Sequence, residues 1–561
     1  MPGADLQGRI LCAHCQRHAN SACKGCLLVL YCGAGCQKTH WSTHKQDCKS
    51  PLIKKDWKPQ WDLADREPAF VDGSGTSMHA FGGKKFFWGN VPAVDVLRIA
   101  DNEGEEYDSD IRLLFAASGD PRNVIKTLES IPKAYGRSIH AHVNDRDLDI
   151  VARNAIILLL MLTVQDKNEA AECMIHIWYS ARIRQSDIDL LRSVRGLIDA
   201  VCKKIAGKAP GTVLGKKWTF ANASLRLVLT KEQWSSLLGY FDVPVGLSLE
   251  RAQRIRTEVT LADSRVDYRE RRMIGQVPAH RVCGNRFRED GILLPFGHHR
   301  HLFIAPNPTF YQTADWPMKD SADPLEGWAL DDILQAGAGP ATNDVYGKLF
   351  YYLKGLLFSC QRRLSSLNVS FELSNCAAED LGKQLKADAF ARIETANISD
   401  GGYLGCAKAV AFLCPLLQHP AENGHATLLT LFMNAVDETV DDSEIAASTS
   451  AELTALLEYL PHRGGAPPRS MNDSRMILMN FLRPLVRDVD KYFNRYMELE
   501  NFRAVEQYLG LRMKDPHTII DKWPMRLRLQ QGQAGAQEEF DLLLSSSHTG
   551  NERYVEWKRV D

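Results

Sequence analysis

Between residues 12 and 48 the chain reads Cys12-x2-Cys15-x7-Cys23-x2-Cys26-x5-Cys32-x3-Cys36-x7-His44-x3-Cys48. Eight thiolate and imidazole ligands are enough for two tetrahedral zinc sites. Two Cys-x2-Cys knuckles and two x3 pairs supply four chelating pairs, a far more specific signal than one knuckle alone. Cys36, His40, His44 and Cys48 fall four residues apart, so a helix through CQKTHWSTHKQDC carries all four on one face. That stripe can serve one metal, two, or none. About fifty residues with few large apolar side chains bury too little surface to fold unaided. Structural zinc contributes on the order of 10–16 kcal/mol in small finger peptides and stands in for the missing core. With every coordination position filled by protein, no catalysis is expected at these metals.

The array resembles the MYND zinc finger family, and the match includes Tyr31-Cys32, Cys36-Gln37 and His40-Trp41. The resemblance implies an interleaved arrangement. Cys12, Cys15, Cys32 and Cys36 would hold one zinc ion; Cys23, Cys26, His44 and Cys48 would hold the other, with His40 beside the sites or at the surface. It also implies that partner proteins are recruited through short proline-containing peptides. Gln37 and Trp41 match the positions associated with that contact and, at i and i+4, share one helix face. The alternative for Trp41 is a cover over the metal core. Seven thiolates offset much of the positive charge of Arg9, Arg17, Lys24, Lys38, Lys45 and Lys49, so nucleic acid is not an expected partner.

The rest of the composition is that of a soluble globular chain of several domains: 561 residues, 45% hydrophobic and 24% charged. Lys and Arg number 68 against 69 Asp and Glu, so no charge excess points to nucleic acid or membrane. The opening MPGADLQGRILCAHC has no apolar signal core, and the run AIILLLMLTV from Ala155 is too short to span a bilayer. Seven of the 14 cysteines crowd into the finger and the others are scattered singly from Cys173 to Cys414, unlike a secreted disulfide scaffold. An intracellular location, in cytoplasm or nucleus, is expected.

The fold class expected is α/β. Residues 1–50 form the finger and 51–77 a polar, proline-punctuated linker. The first part of a Rossmann-like domain follows at 78–165. Ile111–Ala117 has the composition of a buried parallel strand; Gly119 and Pro121 break it, and Val124, Leu128 and Ile131 continue at helical spacing. Strand, tight turn and helix open a nucleotide-type unit. Ile139–Val143 reads as the second strand, with Asn144 and Asp145 at its carboxyl end and Asp147 placed to cap the next helix. A mainly helical insertion is expected at 166–340. Its Arg-rich stretch 251–273 mixes in acids, as a solvated helix does. Its GHHRH at 297–301 lacks Cys or acid partners at ligand spacing, so no third zinc is expected there.

The α/β pattern resumes at 341–440, with Val369, Phe371 and Leu373 alternating in one strand and FARIETANISD forming another that ends at Asn397 and Asp400. HATLLTLFMNAVDE (425–438) reads as a helix. A mainly helical part is expected at 441–561. There TVDDSEIAASTS reads as an exposed stretch, HRGGAPPRSMNDS (462–474) as a loop, MILMNFLRPLVRDVDKYFNRYMELENF as a helix kinked near Pro484, and RYVEWKR as a polar strand.

The strand followed by Ala-Glu-Asp-Leu resembles the third motif of class I methyltransferases, and FARIETANISD resembles their fourth strand. The region also resembles the uncharacterised domain that follows MYND fingers in many fungal proteins, itself similar to the amino-terminal part of the dynein axonemal assembly factor family. The shared marks are FWGNVPAVD, SGDPRNVIKTL, NDRDLDIVARN, NPTFY, DPLEGW and IETANISDGGYLG. This implies a Rossmann-like, methyltransferase-like fold. In such folds an acidic residue at the place of Asp145 holds ribose hydroxyls; the alternative is a turn-forming Asn-Asp pair. The cofactor-binding candidates are Gly119, Asp120, Asn144, Asp145 and Asn397, with Arg122 and Asp400 beside them. AASGDPRN offers one glycine where an adenosine cofactor needs a series, and no catalytic residue accompanies it. The function expected is therefore a zinc-binding interaction scaffold that recruits protein partners. The alternative is a methyltransferase with a MYND docking module, using S-adenosylmethionine beside two zinc ions.

Overall fold

The computed structural model of the chain describes residues 10–71, 81–460, 468 and 470–560. The strands among them are β1 (Ser21–Ala22), β2 (Leu30–Tyr31), β3 (Ile111–Phe115), β4 (Ser138–Asn144), β5 (Arg182–Arg184), β6 (Val213–Phe220) and β7 (Ala223–Thr230), then β8 (Phe303–Pro306), β9 (Asn368–Ser374), β10 (Arg392–Glu394), β11 (Thr427–Phe432), β12 (Leu511–Met513) and β13 (Arg553–Arg559). β1 and β2 pair within the finger, and β5 pairs with β8.

The other nine strands form one sheet in the order β12-β13-β11-β10-β3-β4-β9-β7-β6. From β11 to β7 each neighbour runs parallel; β13 lies antiparallel between β11 and β12, and β6 ends the far edge antiparallel to β7. Ile111, Leu113, Leu114 and Phe115 are buried on both faces of β3, as a central parallel strand requires. The register places Leu113 beside Arg392 on one side and Ala141 on the other, and Ala141 beside Phe371. The strand order reverses between β3 and β10, because the chain leaves β3 for β4 on one side and returns to β10 on the other. The helix Leu148–Thr163 that follows β4 is capped by Asp147, whose carboxylate accepts the Asp149 N–H at 3.0 Å. It is buried from Ile150 through Met161, so AIILLLMLTV is a core helix; no helix among the described residues is long and apolar enough to cross a membrane.

Three elements differ from their sequence reading. Residues 425–438, read as a helix, are strand β11 followed by the short helix Ala435–Thr439. Every residue of β11 is buried, and a run apolar on all sides cannot be told from a helix by periodicity. The insertion 166–340 is not helical throughout: β6 and β7 form a hairpin that extends the main sheet beyond β9. Its signal is the alternation along β7, where Leu225, Leu227 and Leu229 are buried and Arg226 is exposed. The stretch 439–450 is exposed or half-buried from Val440 onward, as read, and most of it lies in the helix Asp442–Tyr459, where Asp441 accepts the Ser443 N–H at 2.8 Å and acidic residues fill the first turn. Residues 51–71 of the expected linker are packed rather than free: Trp61 is 0% exposed, meets Phe70 edge-on at 5.3 Å, and Arg66 pairs with Asp267 at 2.6 Å. Most of the loop expected at 462–474, and linker positions 72–77, lie outside the described residues.

The break near Pro484 follows the sequence: helix Ser474–Leu482, a 3-10 turn Arg483–Leu485, then helix Val489–Leu499. The closing strand β13 is polar in sequence yet buried. Glu556 accepts the backbone N–H groups of Thr518, Ile519 and Ile520 and pairs with Lys514 at 3.1 Å. Trp557 is 0% exposed, packs on Phe502 at 5.5 Å and donates to Thr430 Oγ1 at 3.0 Å. Trp557→Ala should therefore cost about 3–5 kcal/mol, read by urea denaturation of the purified chain.

Candidate metal centre

The finger is built from two knuckles, the β1–β2 pair and the helix Ala34–Cys48. Each knuckle turns back after its second cysteine through a residue at φ +57°, Gln16 in the first and Leu27 in the second. The turns are closed by Gln16 N–H to Cys12 O at 2.9 Å and Leu27 N–H to Cys23 O at 2.8 Å. Two groups of ligand atoms result, each within 4.8 Å: Cys12, Cys15, Cys32 and Cys36, and Cys23, Cys26, His44 and Cys48. In the first, Sγ atoms of Cys15, Cys32 and Cys36 are 3.5–3.7 Å apart. In the second, Cys23 and Cys48 are 3.8 Å apart and Cys26 Sγ lies 3.4 Å from His44 Nε2. Tetrahedral zinc with Zn–S bonds of about 2.3 Å places its sulfurs about 3.8 Å apart. These separations fit that edge and are far beyond a disulfide bond of about 2.05 Å. The residues present fit two zinc ions.

The helical stripe thus divides between the groups: Cys36 goes to one, His44 and Cys48 to the other. His40 belongs to neither; its Nδ1 meets Tyr31 Oη at 2.9 Å and its ring stacks on His44 at 6.1 Å. The Asp47 carboxylate lies 4.0 Å from His44 Nδ1, the nitrogen that a ligand histidine turns away from its metal. The hydrogen bond from Arg17 lowers the Cys15 thiol to about 6, while burial pushes the Cys26 thiol up. Trp41 stands edge-on to His44 at 6.0 Å, and Gln37 and Trp41 are both half-buried on the helix, with no side-chain hydrogen bond to the body among the described residues.

The finger is fixed to the body at both knuckles. His299 Nε2 meets the Ala13 carbonyl of the first knuckle at 2.9 Å. Asn343 donates its side-chain N–H to the Cys26 carbonyl at 3.0 Å and its backbone N–H to Leu27 O at 3.2 Å in the second. Arg286 pairs with Asp47 at 2.6 Å. Approach is close: a Cβ on Gly297 would stand 3.2–3.3 Å from Val29 and Ala13, and one on Gly339 (φ +59°) would clash with Ile10 at 2.7 Å. The GHHRH motif is thus a docking element, and no third metal-ligating group forms among the described residues.

The strand-end candidates lie at the carboxyl ends of the strands on either side of the reversal, and many of their polar atoms bond to the chain itself. Gly119 (φ +54°) donates its N–H to Asp145 at 3.0 Å, and Asp145 also accepts the Asp147 N–H at 2.9 Å. Burial raises the Asp145 pKa. Asn144 is 0% exposed: its amide bridges the carbonyls of Ala116 and Cys376, and its oxygen takes Ser374 Oγ and Cys376 N–H. Asp120 accepts Gly89 N–H and Trp178 Nε1–H and pairs with Arg122. Asn397 reaches Asp400, whose carboxylate takes the N–H groups of Met433 and Asn434. Sequence reasoning missed Glu394, at the end of β10. It is 6% exposed, takes Ala396 N–H on Oε1 at 2.7 Å, and has no hydrogen bond on Oε2 among the described residues.

Residues 12–48 match the MYND finger family, and residues 87–183 match a domain of unknown function, DUF4470. A relative similar to part of the chain is dynein axonemal assembly factor 3 of Danio rerio, 26% identical over 102 residues, or 18% of this chain and 21% of the relative. The aligned region therefore spans about a fifth of that relative's length. No solved structure matches. The fold and site define a mixed α/β protein with an amino-terminal double Cys/His finger of MYND type; nothing in the matches supports an adenosylmethionine cofactor.

Two outcomes follow. Asn343→Ala should leave two zinc ions bound while losing about 1–3 kcal/mol of stability, because the Cys26 carbonyl loses its side-chain donor while the backbone bond to Leu27 stays; zinc content by mass spectrometry and a urea titration check it. Burial raises the Glu394 pKa from the ordinary 4.5 to about 7. The folded chain then holds more protons than the unfolded one between those values, so stability falls as pH rises through that window. Glu394→Gln should remove this dependence and gain stability above pH 7, read by urea denaturation at pH 5 and pH 8.

Proposed function

We propose that this protein is an interaction scaffold whose finger recruits partner proteins through short peptide motifs, proline-containing ones among them, while the body holds the finger in a fixed orientation. The observation that carries this is the docked finger: each knuckle gives a carbonyl to the body, at His299 and at Asn343, while Gln37 and Trp41 stay half exposed on the finger helix. A docked finger presents its free face in one direction, which lowers the ordering cost of capturing a peptide.

We infer further that the body is Rossmann-like, of the methyltransferase type. The support is the strand order: β9-β4-β3-β10-β11 is a doubly wound series with its switch point between β3 and β10, and β13 inserts antiparallel beyond it. In our reading the crevice has lost the cofactor role, because Asp120, Asn144 and Asp145 already bond to the chain and only Gly119 is a glycine. The similarity to an axonemal dynein assembly factor fits a scaffold that brings other proteins together, and we extend that class of role to this chain as a proposal. The second reading, a methyltransferase docked by its finger, rests on the strand order alone.

The combined change Gln37→Ala, Trp41→Ala should abolish capture of proline-containing peptides from an array while two zinc ions stay bound. Unchanged capture would move the recognition face elsewhere. Calorimetry of the full chain with millimolar adenosylmethionine should show no saturable heat; a saturable isotherm would favour the enzyme.

A further inference from the structure

The chain is near neutral overall, yet its charge is unevenly placed. Between Ala200 and Lys231 it carries seven Lys and Arg and no Asp or Glu. This stretch covers the end of the helix Gln185–Lys204, a connecting loop, the β6–β7 hairpin and the first residue of the helix Lys231–Leu237. Lys203 pairs with Asp199 at 2.6 Å, and Arg226 pairs with Glu372 of β9. Lys204, Lys208, Lys216, Lys217 and Lys231 have no ion pair among the described residues. Glu232, next to Lys231, is one acid against these five lysines. Lys231 donates its backbone N–H to the Thr212 carbonyl at 2.9 Å and so stands at the head of β6, and Lys208 belongs to the loop that leads in. Lys216 and Lys217 are neighbours within β6 and therefore project to opposite faces of the sheet. Lys217 is exposed; Lys216 is half-buried, its ammonium 5.8 Å from the centre of the Trp218 ring.

β6 is also an open edge. It ends the nine-stranded sheet, and it pairs with β7 in unbroken register from Val213 opposite Thr230 to Phe220 opposite Ala223. The opposite edge, β12, has only three residues. Proteins blunt an edge by keeping it short, by a bulge, by proline, by a covering loop or by lysine. β6 has eight residues, no bulge and no proline, and every second residue from Val213 to Thr219 is exposed. Lysine is the device it uses, and lysine excludes strands selectively. A second β6 edge would set lysine against lysine, and an apolar strand would leave ammonium groups facing hydrocarbon. An acidic strand meets opposite charge on both faces.

We propose that the β6 edge docks an extended acidic segment of a partner protein, which adds to the sheet as a further strand. Backbone hydrogen bonds hold the segment, and adjacent carboxylates select it, one beside Lys216 and the next beside Lys217. Lys208 and Lys231 meet acids that lie beyond the end of the strand. Nucleic acid is disfavoured: Trp218 is buried against Trp234 at 6.1 Å and Phe220 packs on the core, so neither offers a base a full ring face. The edge is separate from Gln37 and Trp41, and the proposal holds whether or not the finger captures peptides.

The test uses the full-length, zinc-loaded chain and fluorescence anisotropy at low ionic strength. The probe is a fluorescein-labelled Val-Thr-Val-Glu-Glu-Val-Thr-Val peptide, with its Gln counterpart as control. The Glu peptide should bind saturably, lose affinity as salt is raised, and slow hydrogen exchange in β6. The Gln peptide should bind about tenfold more weakly or worse. Methylation of alternate backbone nitrogens keeps the charge of the Glu peptide and should abolish its binding. Lys216→Glu, Lys217→Glu should weaken the Glu peptide about tenfold or more. Lys217→Glu alone, at an exposed position, should weaken it severalfold if the double change fails to fold. The Gln37→Ala, Trp41→Ala change should leave this affinity intact, which separates the edge from the finger. No saturable binding, equal binding of the Gln peptide, binding that survives backbone methylation, or unchanged exchange in β6 would each overturn the proposal. So would tighter binding of a short oligouridylate, unchanged affinity in the lysine variants, or loss of affinity in Gln37→Ala, Trp41→Ala.

Discussion

Coordination of two metal ions by seven thiolates and one imidazole is the constraint on which the amino-terminal part of this protein depends. The knuckles adopt left-handed turns at Gln16 and Leu27 that their own side chains do not favour, and the ligand set holds them there. Once held, each knuckle exposes a backbone carbonyl at a fixed place, and the body binds there. The influence continues inward. Asn343, which reads the second knuckle, precedes Asp344, whose carboxylate accepts Gly347 N–H at 2.8 Å and Phe296 N–H at 2.6 Å. Asp344 thereby caps the 20-residue helix Val345–Leu364 and ties it to the segment that carries His299. Metal binding, finger docking and one of the longest helices of the body form a single connected arrangement.

The ligand array was legible in the sequence because chelation needs particular residue types at short, fixed spacings. The central strands were legible for a related reason: Ile111–Ala117 is a largely apolar run cut off by Gly119 and Pro121, Ile139–Val143 alternates apolar residues with histidines before Asn144 and Asp145, and each was read within a residue or two of its observed bounds. What escaped depended on tertiary context. β11 is apolar on every side, so only its neighbours β10 and β13 make it a strand. The hairpin β6–β7 lay hidden in a stretch read as mainly helical. The 51–71 segment reads as polar, yet Trp61 and Phe70 bury it against the body. The polar strand β13 is buried because Glu556 satisfies three backbone N–H groups of a neighbouring loop.

The strand-end residues tie neighbouring loops together at the place where sequence reasoning put them. Sequence reasoning put Asn144, Asp145, Asp120 and Asn397 at the carboxyl ends of the central strands, and they lie there. Their donors and acceptors, however, lock one loop to the next: Gly119 to Asp145, Asp120 to Gly89 and Trp178, Asp400 to Met433. Hydrogen-bond capacity is finite, and a side chain that already satisfies the protein has little left for a ligand. The same reasoning, applied in reverse, draws attention to Glu394, which has capacity unspent.

Hydrogen exchange at the start of helix Val345–Leu364, with and without a zinc chelator, tests the coupling most directly. The account predicts that metal removal speeds exchange at Gly347 and Phe296 together with the finger itself, since Asp344 loses the anchor that Asn343 provides. Exchange in the finger that rises alone, with those two amides as protected as before, would contradict it.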